Sequence, residues 1–148
     1  MNVLASALLV GIRRTKRTEG LIKISFFSNK ERKQKEGVFR GMFSGEKFCI
    51  VQYKNENGKT RLAVVNRISK TAVEEQLVYV NRCKKGSAIA CQCIGNKMHV
   101  ILLNERGETI LNLGQRSKLM NRPFYREGVG EATTNREVIR KFMEIWGV

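Results

Sequence analysis

Two stretches of the chain gather apolar, β-branched and aromatic residues into short runs broken by turn-forming residues, the pattern of antiparallel hairpins. In EKFCIVQYKNENGKTRLAVVN, residues 46–66, two such runs flank Asn57-Gly58, the dipeptide that best tolerates the positive φ angles of a tight turn. In SAIACQCIGNKMHVILLNERGETILNLG, residues 87–114, breaks at Gly95-Asn96 and Glu105-Arg106-Gly107 predict a three-strand meander. Residues 3–12, 21–27 and 38–43 supply three further strands. The pattern predicts about seven to nine strands in hairpins and meanders.

The period changes twice. TTNREVIRKFMEIWG carries Thr134 and Glu137 at capping-box spacing, sets Val138, Ile139, Phe142, Ile145 and Trp146 on one face, and ends at Gly147. It predicts a C-terminal amphipathic helix. SKTAVEEQL, residues 69–77, repeats the Thr-to-Glu spacing at Thr71 and Glu74 and predicts a short helix near 70–77. The expected fold is α+β, mostly antiparallel β, in a single domain spanning residues 1–148. A loop of about 20 residues, beginning in GQRSKLMNRPFYREGVGEA, precedes the last helix and is long enough to be functional.

With both helices, the chain reads as strands and a helix, then strands and a helix. That doubled plan is similar to the architecture of Whirly-type and PUR-type single-strand binding proteins. The likeness is one of architecture alone, and no motif of those families carries a residue role over to this chain.

Charge turns this scaffold toward a class of partner. The 148 residues are 42% hydrophobic and hold one proline, which fits a packed domain, but 28 Lys and Arg stand against 13 Asp and Glu, a net +15. Such an excess repels itself and calls for a polyanion, nucleic acid first and acidic membrane second. The four cysteines are too sparse for a disulfide scaffold and read as reduced thiols in an intracellular setting, cytoplasmic, nuclear or virion-associated. The opening MNVLASALLVGI lacks the basic residues that precede the apolar core of a signal peptide and is shorter than a membrane span, so it reads as a strand.

The charge is segregated along the chain. Residues 1–40 carry +7, 41–80 carry +2, 81–126 carry +7 and 127–148 carry −1. Four clusters stand out in expected turns or loops: Arg13, Arg14, Lys16 and Arg17; Lys30, Arg32, Lys33 and Lys35; Arg82, Lys84 and Lys85; and Arg116, Lys118, Arg122 and Arg126. There they reach a phosphate backbone without disturbing strand packing. RRTKR, residues 13–17, is expected at a hairpin tip. Lys54, Lys59 and Arg61, in the nearly neutral segment, are expected to contribute much less.

Rings beside these cations point to unpaired strands, which proteins hold by stacking bases next to neutralised phosphates. Phe124 and Tyr125 sit between Arg122 and Arg126, with Tyr125 the better contact, and Phe39 and Phe43 flank Arg40. The one strong helix lacks the basic face of a duplex reader.

Catalytic chemistry is sparse. His99 alternates with apolar neighbours in KMHVILL and has no nucleophile or carboxylate at a triad spacing. Cys91 and Cys93 lie at strand spacing, not the two-to-four-residue spacer of a zinc turn. Glu74-Glu75 is the only adjacent acidic pair, and neither GVG nor GEK fits a phosphate loop. The sequence therefore reads as a non-catalytic binder of RNA or single-stranded DNA, without cofactor, metal or small-molecule substrate, and a possible homo-oligomer. The alternatives are a structural subunit of a nucleoprotein assembly and a peripheral protein on anionic lipid.

Overall fold

The computed structural model describes residues 9–11, 21–83, 86–119, 139, 140 and 143. They form nine strands: β1 (Leu9–Gly11), β2 (Lys23–Ser28), β3 (Lys33–Ser44), β4 (Phe48–Lys54), β5 (Thr60–Asn66), β6 (Thr71–Arg82), β7 (Ala88–Ile94), β8 (Lys97–Leu103) and β9 (Thr109–Gln115), followed by the short helix α1 (Arg116–Leu119). The architecture is mostly antiparallel β, as the alternation predicts.

From β2 to β9 each strand pairs with the next, and β1 lies beside the end of β6. A meander of five strands brings its first and last strands back in the same direction. Here Phe27 of β2 stands opposite Thr71 of β6 in parallel, and the Phe27 N–H donates to the Lys70 carbonyl at 2.8 Å. That contact closes β2 to β6 into a ring. Beyond it β6 turns away at Gln76, whose φ is +59°, and its second part pairs with β7.

This bend stacks three apolar layers. Phe26, Cys49, Val51, Tyr53, Ala63, Val65 and Ala72, with Phe39 and Met42, come from all five ring strands and fill the ring. Phe26 meets Tyr53 edge-on, ring centroids 5.4 Å apart. Phe43, Phe48, Ile50, Leu62 and Val64 pack the outside of the ring against Leu77, Val80, Ala90, Ile101 and Leu103 of the β6–β8 half. Tyr79, Ile89, Cys91 and Val100 line the far side of that half, under Leu119, Ile139 and Met143. Strands caught between two layers are buried on both faces, which is why FCIV, LAVV and AIAC read as continuous apolar runs.

The expected helix near 70–77 is strand β6 instead. Buried positions along β6 fall at Ala72, Glu75, Leu77, Tyr79 and Val80, so the first step is three residues rather than two. Register shifts against β5 and β7 insert the extra residues. A bulge thus imitates helical spacing, and the Glu74 carboxylate accepts from Gln92 and Thr109 rather than capping a helix. The doubled plan falls with this helix, and so does the architectural likeness to Whirly-type and PUR-type proteins. Of the C-terminal helix, Ile139, Arg140 and Met143 are helical; the rest of 134–147, Trp146 included, lies outside the described residues, as do 3–8 and 12 of the first expected strand.

Turn chemistry follows the sequence closely. Asn55 and Asn104 open the β4–β5 and β8–β9 turns in the same way: each side-chain Oδ1 accepts two backbone N–H groups, from Asn57 and Lys59 in one turn and from Arg106 and Glu108 in the other. In both, a glycine three residues on takes positive φ, Gly58 at +75° and Gly107 at +80°. NENGK and NERGE are thus one turn used twice.

Gly37 is held by proximity. It is buried in β3, and a Cβ there would lie 2.5 Å from Val51 Cγ1 and closer still to the Gln52 carbonyl oxygen. Gly37→Ala is expected to cost about 2 kcal/mol, since backbone cannot yield as a side chain does. Gly45→Ala, with open space around it and only its φ of +56° to strain, is expected to cost about half as much in the same thermal melts.

Candidate nucleic-acid interface

One end of the ring is closed by polar groups. The Glu75 side chain, in a residue 2% exposed, accepts from Ser28 Oγ, from the Asn29 N–H at 2.9 Å and from the Lys30 N–H at 3.2 Å. It thereby pins the β2–β3 turn, where Arg32 takes a φ of +55°. Glu31, in the same turn, points inward with its side chain 3% exposed and binds Lys35 Nζ at 2.8 Å. The Lys35 ammonium lies 5.9 Å from the centre of the Tyr53 ring. The Tyr53 hydroxyl accepts the Gln76 N–H at 3.0 Å, which fixes the bend of β6, and burial holds that hydroxyl protonated well above the usual tyrosine range.

Beside this polar plug lies a groove of about 700 Å³. Its cations come from two turns and two strands: Lys30 from β2–β3, Lys59 from β4–β5, Arg61 from the start of β5 and Lys97 from the start of β8. Asn57, Asn96 and Gln76 add amides, and Cys93, Ile94 and Met98 an apolar wall. Glu56 is the one acid among the lining residues. The groove pairs positive charge with hydrogen-bonding edges and some apolar surface, the combination an unpaired strand needs.

Lys30 and Arg32 sit in the β2–β3 turn as expected, both exposed. Lys33 and Lys35 belong to β3, not to a loop: KQKEG begins the strand on a largely exposed edge, where charge is tolerated. Lys33 remains 55% exposed, whereas Lys35 is 12% exposed and committed to Glu31. Arg40 lies within β3 and donates to Gln52 Oε1. Arg116 and Lys118 lie on α1 instead of a loop. Arg13, Arg14, Lys16, Arg17, Lys84, Lys85, Arg122, Tyr125 and Arg126 lie outside the described residues.

Phe43 is fully buried and Phe39 packs against the interior of the ring, so neither is a platform for a base. Lys59, Arg61 and Lys97, by contrast, share the groove with Lys30; sequence reasoning gave Lys59 and Arg61 a minor part and passed over Lys97. Their turns were legible; their meeting depends on the bend of β6, which no local pattern announces.

At the other end of the ring a smaller cleft of about 350 Å³ gathers Lys23, Arg67 and Lys70. There Lys23 faces Glu36 at 3.7 Å, and Arg67 donates to the Glu46 carbonyl at 3.3 Å. The groove holds a similar pair, Lys30 facing Glu74 at 3.9 Å, so the two sites differ in their cations, three in the cleft against four in the groove.

The remaining chemistry is muted. All four cysteines are free, and no group of three or more metal-ligating side chains gathers among the described residues. Burial pushes the Cys91 thiol up to about 12 and raises those of Cys49 and Cys83, which keeps them neutral and poor as nucleophiles or ligands. His99 lies on β8 with Nδ1 3.3 Å from Asn112 Oδ1, a pairing with the edge strand. Among the described residues no helix is long and apolar enough to cross a membrane. Comparison with protein-family models, curated proteins and solved structures returns no match for the chain.

Proposed function

We propose that this protein binds RNA or single-stranded DNA without catalysis and largely without regard to sequence. The observation that carries the reading is the groove where Lys30, Lys59, Arg61 and Lys97 converge from distant parts of the chain on a molecule of net charge +15. Its mechanism is counterion release on phosphate contact, with contacts to unpaired bases added in the groove. Four free thiols accord with an intracellular setting. The test is a titration of single- and double-stranded RNA and DNA at several salt concentrations. For about five phosphate contacts on a single strand, log K is expected to fall with log salt at a slope of roughly −3.5. A flat salt response, or tighter binding of duplex, would reject the reading.

A second reading, a structural subunit of a nucleoprotein assembly, is favoured by β9. This strand ends the sheet order, carries no charged residue in TILNLGQ, and exposes Ile110 and Leu111 at 55% and 45%. Edge strands are usually blunted with lysine, and a chain so rich in lysine leaves this one bare. Concentration-dependent mass in sedimentation, abolished by Leu111→Lys, separates this reading from the first.

A further inference from the structure

Arg61 is the residue of the groove that the protein itself leaves incomplete. Its Nη1 donates to the Thr60 carbonyl at 2.8 Å, but its Nε, buried from solvent, has no hydrogen-bond partner among the described residues. The nearest acids do not supply one. Glu31, which with Arg61 contributes to the field at Tyr53, spends one carboxylate oxygen on Lys35 and leaves the other buried and unpaired, and no ion pair joins it to Arg61. A buried donor without an acceptor is uncommon and disfavoured, and a guanidinium donor calls for an anionic oxygen. Arg61 as a whole is half-buried and lines the groove beside Lys59, Lys97 and Lys30, so a phosphate there meets the exposed part of the side chain and turns its Nε edge outward as it binds.

We propose that Arg61 is the phosphate anchor of one nucleotide of an unpaired strand, held in the groove with its base between the β4–β5 and β7–β8 turns. This rests on the nucleic-acid reading above and specifies it. A free phosphate would leave most of the 700 Å³ unfilled. No described hydrogen bond engages the side-chain amides of Asn57 and Asn96 on the two flanking turns, and Gln76, whose Oε1 accepts from Asn55 Nδ2 at 3.1 Å, adds its amide N–H groups, so the walls present donors and acceptors to a base edge. Base edges are open to such contacts only where the strand is unpaired. The chain as a whole would then grip phosphates without regard to sequence, while this groove prefers single strands to duplex.

The experiment measures anisotropy of fluorescein-labelled tetrauridylate on the full chain, beside a long uridylate strand, a blunt duplex, uridine monophosphate and inorganic phosphate as competitors. Arg61→Gln is expected to weaken tetrauridylate about tenfold, the loss of one charge-assisted contact, with a much smaller effect on the long strand, which keeps its other phosphate contacts. Arg61→Lys restores the charge but not the planar donor set, so it should recover the salt slope without recovering the affinity. Should the variants fold poorly in thermal melts, the Arg61 Nε–Hε resonance of the unsubstituted protein serves instead. It should move on adding tetrauridylate and stay still on adding duplex.

The assignment is overturned if Arg61→Gln binds tetrauridylate as the parent does, if that resonance does not move, or if inorganic phosphate competes as well as uridine monophosphate. Any of these with salt-steep binding intact leaves the broader reading standing. A parent protein that binds no nucleic acid at all removes both.

Discussion

Glu75→Ala is expected to lower the stability of the folded chain by about 3–5 kcal/mol, among the largest effects available to a single substitution here. The methyl group takes away the acceptor of Ser28 Oγ and of the Asn29 and Lys30 N–H groups together, at a position 2% exposed where water does not readily replace it. Ser28, fully buried, keeps its bond to the Glu31 N–H and loses the carboxylate its hydroxyl donates to. Glu75→Gln retains shape and one acceptor oxygen but turns an amide donor toward groups that are themselves donors, so about half the loss should remain. Denaturant melts of both variants check the order. A loss under about 1 kcal/mol for Glu75→Ala would mean that the β2–β3 turn does not depend on this carboxylate.

The same residue explains where sequence reading of this chain succeeds and where it stops. Turns announce themselves because Gly58, Gly95 and Gly107 adopt positive φ between apolar runs, and that requirement is local. The continuous runs FCIV, LAVV and AIAC signal strands buried on both faces for an equally local reason. Residues 71–77 mislead because a bulge replaces the two-residue period by a three-residue step, and TAVEEQ then satisfies a helical template and a capping box at once. KQKEG misleads in the other direction, since an exposed strand edge tolerates the charges that usually mark a loop. Whether a charge faces solvent is a tertiary fact. Glu75 counted against Lys59 and Arg61 in the near-neutral tally for 41–80, yet it is folded inside while those two cations line the groove.

Exchanging Lys30, Lys59 and Lys97 together for glutamine is expected to weaken single-strand binding about a hundredfold near 0.1 M salt and to reduce the slope of log K against log salt by about 2. Each phosphate contact on a single strand contributes about 0.7 to that slope, so three contacts remove roughly two decades when carried from a molar reference to 0.1 M. Two features make the triple variant a clean probe. All three side chains are exposed, and of the three only Lys30 has a described salt bridge, to Glu74 at 3.9 Å with the lysine 47% exposed. Stability should therefore move by no more than about 0.5 kcal/mol for each substitution. The matched control is Lys23, Lys47 and Lys70 at the other end of the ring, which removes the same charge from two neighbouring clefts that share Arg67. If binding depends on the groove, the first triple loses affinity and slope while the control loses little of either. Equal losses would mean that the +15 acts as a diffuse field and that the convergence of these turns has no special part in binding.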